Sequence, residues 1–188
     1  MTPTIYVDMD GVLCHFVRGA IAHHGSALDP DTAAWGLEAQ MGIDPATFWS
    51  GLGRTFWSGL EPYADGFALL AAAESLVGAD NIALLSSPCD TDGCCDGKRD
   101  WVARHLPAYR RRLFLGSDKA VHAGPNKILV DDHVDNTAWF FAAGGRIVMP
   151  PRPWNPRRAE CIYPGGYFDV ADVSKHLEGI VLHMKGKL

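Results

Sequence analysis

Apolar positions along the chain fall into short β-rich runs that stop on Asp, Ser or Gly, separated by longer stretches with helical spacing. The first run, "TIYV" from Thr4, halts at "DMDG", residues 8 to 11. Four later runs share its form: "NIALLSSP" (81–88), "RLFLGSD" (112–118), "NKILVDD" (126–132) and "GRIVMPP" (145–151). Between them, "GFALLAAAESLVG" (66–78), "KRDWVARHL" (98–106) and "VDNTAWFFAAG" (134–144) predict helices, and a last helix is expected over about 169–184. Strands alternating with helices of this length predict βαβ units, hence an α/β, Rossmann-like three-layer sandwich around a mostly parallel sheet.

Residues 17–63 break the rhythm. They carry Trp35, Phe48, Trp49, Phe56 and Trp57 among closely spaced glycines and prolines. This segment predicts a small helical cap inserted after the first strand, with 1–16 and 64–188 forming the core domain. Its aromatics read either as the cap's own packing or as a stacking wall for a planar ligand. From 152 on, "RPWNPRRAECIYPGGYF" is too rich in Pro, Gly and Arg for regular structure and predicts a loop.

Composition narrows the partners. The hydrophobic fraction of 47% is that of a globular chain, and the 188 residues suffice for one domain with an insertion. A formal net charge of -5 gives no general attraction to long nucleic acid or anionic lipid, so phosphate chemistry must come from a local site. No run reaches the ~18 apolar residues of a membrane span. Cysteines at 14, 89, 94, 95 and 161 are odd in number, lack paired CxxC spacing and point to a reducing, cytoplasmic setting rather than to disulfides or zinc.

The chemistry is concentrated where the strands stop. A carboxylate at a buried strand end loses hydration and needs a positive partner, and Asp8 with Asp10 raises that demand. "LVDDHVDN" adds Asp131, Asp132 and Asp135 after an equally apolar run. Two acidic strand ends at one sheet edge make a hard oxygen site suited to Mg²⁺. Ser86 and Ser87 end another strand with hydroxyls, and Lys119 follows a third as a mobile cation, so a phosphoryl group could be held by Ser86, Lys119, backbone N–H groups and the metal. Taken singly, each is ordinary: a helix cap, a turn, a solvated charge. Their order on successive strands makes coincidence a poor explanation.

In that order, "DMDGVL" (8–13), "LLSSP" (84–88), Lys119 in "GSDK" and "ILVDD" (128–132) resemble the sequence motifs of the haloacid dehalogenase-like phosphohydrolases. "DGVLCHF", "FWSGLEPYADG", "KRDWVARHL", "DDHVDN" and "AAGGRIVMPPRPWN" resemble more narrowly the 5'(3')-deoxyribonucleotidase group. The resemblance implies a Mg²⁺-dependent phosphomonoesterase acting on (deoxy)nucleoside monophosphates through an aspartyl-phosphate. Asp8 would be the nucleophile and Asp10 the general acid and base. Ser86, with Ser87 beside it, and Lys119 would hold the phosphate. Asp8, the Asp10 carbonyl and the 131/132 pair would hold the metal, Asp131 directly and Asp132 through water, with Asp135 orienting a metal-bound water. Phe16, Phe48, Trp49, Phe56 and Trp57 would face the base, Trp57 and Phe16 nearest. A homodimer is also implied. The loop "CDTDGCCDGK" departs from the pattern and is expected at the mouth of the site. Rival readings are a phosphatase of another small ester such as a sugar phosphate, a dehalogenase, and a noncatalytic phosphate-ligand or nucleic-acid-binding protein using "YRRRLF" or "RPWNPRR".

Overall fold

The computed structural model describes residues 2–162 and 166–186. Five strands, β1 (Thr4–Val7), β2 (Ile82–Ser86), β3 (Leu113–Leu115), β4 (Lys127–Val130) and β5 (Arg146–Val148), form one parallel sheet in the order β3-β2-β1-β4-β5. Each lies inside a run that the apolar pattern marks. Strand side chains alternate between faces, which divides the core in two. Ile5, Val7, Ile82, Leu84, Ile128 and Val130 belong to one buried cluster, and Tyr6, Ala83, Leu85 and Leu129 to another. Being covered on both sides is why these strands read as continuous apolar runs.

Helices α5 (Ala64–Val77), α6 (Cys94–His105), α7 (Val134–Ala142) and α8 (Val170–Met184) complete the layers. Leu69, Leu70 and Val77 of α5, Trp101 and Val102 of α6, and Val173, Leu177 and Val181 of α8 join the first cluster, while Phe140 of α7 joins the second. The Asp169 carboxylate caps α8 by accepting the Ala171 N–H at 2.8 Å. Helix α6 starts earlier than the sequence predicts, because Gly93 takes a left-handed conformation (φ 82°) and opens the helix at Cys94. The stretch after 152 also holds more order than a loop: β6 (Cys161–Ile162) pairs antiparallel with β7 (Tyr167–Phe168), and residues 163–165 of it lie outside the described residues.

Between β1 and α5 run four short helices: α1 (Phe16–His23), α2 (Leu37–Met41), α3 (Pro45–Ser50) and α4 (Arg54–Gly59). Phe16, Val17, Phe48, Leu52 and Trp57 from this segment share the buried cluster of the sheet. One tight joint is between α4 and α6. A Cβ on Gly97 would lie 2.6 Å from both the Arg54 carbonyl oxygen and the Trp57 Cβ, so only glycine lets these helices approach so far. Among the described residues, no helix is long and apolar enough to cross a membrane.

His15 sits at the entry to α1, buried, its ring centroid 3.4 Å from that of Tyr63. Burial, aided by the charges of Arg18 and Arg152, lowers its pKa to about 4. An unfolded histidine protonates near 6.5, so between about 6.5 and about 4 the unfolded chain binds the extra proton. The stability this group confers is complete above the upper value and lost as pH falls toward the lower. Asp131, pushed up to about 6, titrates in the same window with the opposite sign, so a comparison isolates the histidine. Denaturant midpoints of the wild type are expected to fall more steeply across this window than those of His15→Gln; parallel slopes would contradict the assignment.

Candidate active site

Strands β1 and β4 are neighbours, with Val7 paired to Val130, and the chain leaves them toward opposite edges of the sheet. Such a switch point opens a crevice at the carboxyl ends of the strands. The Asp8 N–H donates to the Val130 carbonyl at 2.9 Å and the Asp131 N–H to the Val148 carbonyl at 3.1 Å, so each acid is the first residue beyond its paired strand. Asp8, Asp131 and Asp132 are all buried, with carboxylate oxygens within 4.8 Å of one another. After Asp8 the chain turns back at once, the Met9 carbonyl accepting from Leu13 N–H at 2.7 Å and Cys14 N–H at 2.9 Å. Gly11 makes this turn possible: its φ is 74°, and a Cβ there would overlap the Asp132 carboxylate.

Two buried ammonium groups answer the negative charge. Lys119, which the sequence suggests to be mobile, is only 2% exposed and bridges Asp8 Oδ1 at 2.8 Å and Asp131 Oδ2 at 2.6 Å. Burial alone would lower its pKa, but the two carboxylates outweigh this and raise it. Lys98 is the residue that sequence reasoning missed. It lies 1% exposed on the second turn of α6, pairs with Asp10 Oδ2, donates to Ser86 Oγ at 2.9 Å and stands 4.5 Å from the ring centre of Trp57. Its signal was available: "DGKRDW" puts one lysine on the apolar side of a helix whose buried residues are Cys94, Gly97, Trp101 and Val102. At Lys98 too, the Asp10 charge overcomes the burial that disfavours an ammonium.

The 131/132 pair is not symmetric. Asp131 accepts from the His133 N–H at 2.8 Å, from Asn136 Nδ2 at 3.3 and 3.1 Å, and from Lys119, and it does not line the cavity. Asp132 does line it, with Oδ2 bonded to Trp154 Nε1 and its backbone carbonyl held by Asn155 Nδ2 at 3.1 Å. Asp132 thus opens onto the cavity, while Asp131 is held behind it by Lys119, His133 and Asn136. Burial, then mutual repulsion, pushes the carboxyl of Asp132 well above the ordinary range. Asp135, expected to orient water, is exposed on the first turn of α7 beside a neighbouring hollow; Asn136 is the residue that reaches inward.

Residues 152–155 tie the two acidic loops together. Arg152, fully buried, donates from Nε to the Gly11 carbonyl at 2.6 Å and grips Asp65 with both terminal nitrogens at 2.7 and 3.0 Å. Trp154 and Asn155 hold Asp132. One short segment thus fixes the loop after β1 and the loop after β4.

Above the acids is a cavity of about 330 Å³ lined by Asp8, Asp10, Asp132, Ser87, Cys89 and the rings of Phe16, Trp35, Trp49 and Trp57 among others. Phe16 stacks parallel to Trp49 (centroids 5.9 Å) and to Trp57 (5.4 Å). Two expected wall residues are elsewhere. Phe48 is fully buried, stacked on His24 as packing within the helical segment, and Phe56 lines a different hollow with His15 and His23. Trp35, 48% exposed, supplies a wall residue that the sequence argument left unselected. Ser86 is enclosed with its hydroxyl bonded to Lys98, while Ser87 faces the cavity.

No protein-family model matches the chain, and no curated protein matches it. Solved structures do match in shape. A conserved haloacid dehalogenase-like protein of unknown function from Agrobacterium tumefaciens aligns over 98% of this chain and 100% of its own, with TM-score 0.57 and 14% identity. L-2-haloacid dehalogenase from Xanthobacter autotrophicus aligns over 96% and 100%, with TM-score 0.53 and 12% identity. A HAD family hydrolase from Deinococcus radiodurans, solved with bound phosphate and sodium, aligns over 98% and 96%, with TM-score 0.51 and 15% identity. The likeness is one of fold: the chain has the haloacid dehalogenase-like architecture.

Breaking the Arg152–Asp65 pair leaves one buried charge without its partner, so Arg152→Met is expected to destabilise the protein by about 3–5 kcal/mol, and Asp65→Leu added to it to restore much of the loss. Chemical denaturation of the single and double variants measures this; additive losses would contradict a coupled pair.

Proposed function

We propose that this protein is a Mg²⁺-dependent phosphomonoesterase that removes phosphate from nucleoside monophosphates through an aspartyl-phosphate on Asp8. The observation that carries the reading is a single cavity with buried carboxylates at its floor and parallel aromatic rings in its wall. Such a cavity suits a ligand that is anionic at one end and flat at the other.

The acid cluster fits a hard divalent cation. With Asp8, Asp10, Asp131 and Asp132 ionised, Lys98 and Lys119 leave two negative charges uncompensated, the amount one Mg²⁺ cancels. Asp8, Asp132 and the Asp10 carbonyl would hold it, and it would screen the substrate phosphate from the nucleophile. A bound phosphate and sodium in the Deinococcus hydrolase are consistent with an anion-and-cation site in this architecture.

Asp8 Oδ1 is fixed by the Met9 N–H at 2.7 Å and by Lys119, which leaves Oδ2 without a partner among the described residues and able to attack phosphorus. Asp10, which lines the cavity, takes a proton from solvent and delivers it to the departing alcohol oxygen. In the second half-reaction the Asp10 carboxylate removes a proton from the water that attacks the aspartyl-phosphate, releasing phosphate and restoring both acids. Ser87 contacts the phosphoryl oxygens, and Ser86 keeps Lys98 beside Asp10.

A panel of phosphate esters, with and without Mg²⁺, tests this directly. Nucleoside monophosphates are expected to be hydrolysed only with the metal, and Asp8→Asn to abolish release while the thermal transition stays intact. Metal-independent turnover, or substantial turnover by Asp8→Asn, would overturn the mechanism. Trp49→Ala is expected to weaken kcat/KM about 10- to 100-fold for a nucleotide, through lost stacking, and much less for glycerol phosphate. Equal losses for both would favour a small ester such as a sugar phosphate as substrate.

A further inference from the structure

The stretch "CDTDGCC" takes no part in the chemistry above, yet Cys89 lines the same cavity as Asp8 and Asp10. Its sulfur lies 2.9 Å from Thr91 Oγ1, and its backbone N–H points at Cys94 Sγ, 3.4 Å away. Cys94 is buried at the first position of α6, its sulfur against the Cys89 backbone N–H. We propose that Cys89 is a peroxide-reactive site in the cavity wall, and that its oxidation joins it to Cys94 in a disulfide that reversibly stops turnover.

Several features distinguish this pair. The neighbouring Cys94 and Thr91 side chains, with the positive charge of Lys98 nearby, bring the Cys89 thiol down to about 6, which favours the reactive thiolate. Cys94 is shifted the other way, its pKa raised first by the neighbouring Cys89 side chain and then by burial. Cys89 is partly exposed toward the cavity and reachable by a small oxidant, whereas Cys14 is buried and shifted upward by burial and by Asp10. The resolving sulfur already touches the backbone N–H of the attacking residue, five positions away.

The chemistry needs one equivalent of a hydroperoxide. The Cys89 thiolate attacks one peroxide oxygen, the O–O bond breaks, and hydroxide leaves, giving a sulfenic acid. Cys94 sulfur then attacks the sulfenic sulfur and expels hydroxide, which takes the Cys94 proton and departs as water. Two thiols and hydrogen peroxide become one disulfide and two waters.

Closing the bond brings the two sulfurs to about 2.05 Å. The movement falls on Ser87, Pro88 and Cys89, all in the cavity wall, and on the start of α6, one turn before Lys98. Helix α6 cannot yield freely, because Gly97 is pressed against Arg54 and Trp57 of α4. A displacement on the order of 1 Å at catalytic groups costs up to about 100-fold in rate.

The test treats the full chain with equimolar hydrogen peroxide and reads both peptide mass and turnover, each variant normalised to its own untreated rate. The expected product is a cross-linked peptide joining Cys89 to Cys94, with turnover reduced about tenfold or more and recovered by dithiothreitol. Cys89→Ser is expected to keep its untreated rate, and Cys94→Ser to stop at a Cys89 sulfenic or sulfinic acid detected by mass. Absence of the cross-link with Cys89 still reduced, or a cross-link without loss of turnover, would overturn the proposal. The effect on turnover rests on the phosphomonoesterase reading, but the cross-link is read by mass alone, so a failure of that reading is recognised separately.

Discussion

Like charge held in a small, nearly dry volume is the constraint around which this protein is built. Asp8, Asp131 and Asp132 converge within 4.8 Å, and two unit charges at about that distance repel by roughly 3 kcal/mol even at an effective dielectric of about 20. Parallel pairing creates the crowding: Val7 opposite Val130 puts the first residues after β1 and β4 side by side. A sheet whose strands simply ended there would gain nothing from acids in those positions. Lys119 between Asp8 and Asp131, and N–H groups from Met9, His133, Asn136 and Trp154, reduce the penalty without removing it. The upward push on the Asp131 and Asp132 carboxyls is what remains, and a divalent cation is the natural complement.

The surrounding elements hold this arrangement from two sides. On one side Arg152 spans from the Gly11 carbonyl to Asp65 at the start of α5, while its neighbours Trp154 and Asn155 grasp Asp132. On the other side, α6 brings Lys98 to Asp10 and Ser86, and the glycine contact between α6 and α4 places Trp57 beside that same lysine. The aromatic wall and the charged floor are therefore mechanically connected. A change in the loop from Ser87 to Cys94 reaches both.

Strand tips and their acids were legible in the sequence because a buried parallel strand needs an unbroken apolar run, and a polar residue that ends one stands out. "TIYV" and "KILV" show this directly. Side-chain direction within the helical segment was not legible. Phe48 and Trp49 are adjacent, yet one is enclosed against His24 and the other faces the cavity, and only the placement of α3 against its neighbours decides which. Lys98 was only half legible: its side of the helix marks it, but a lone lysine on a helix usually faces water, and its burial follows from Asp10 and Ser86, which are distant in sequence. The ranking of Asp131 and Asp132 depended on Asn136 and Trp154 in the same way. Long-range partners, not local pattern, chose among residues of the same type.

Crystals grown with manganese(II) in place of magnesium, and measured at the manganese absorption edge, test the central claim most directly. The account requires an anomalous peak bonded to the Asp8 and Asp132 carboxylates, with Lys119 still between Asp8 and Asp131. An acid cluster that stays empty at saturating manganese, or a peak held by other residues, would contradict it.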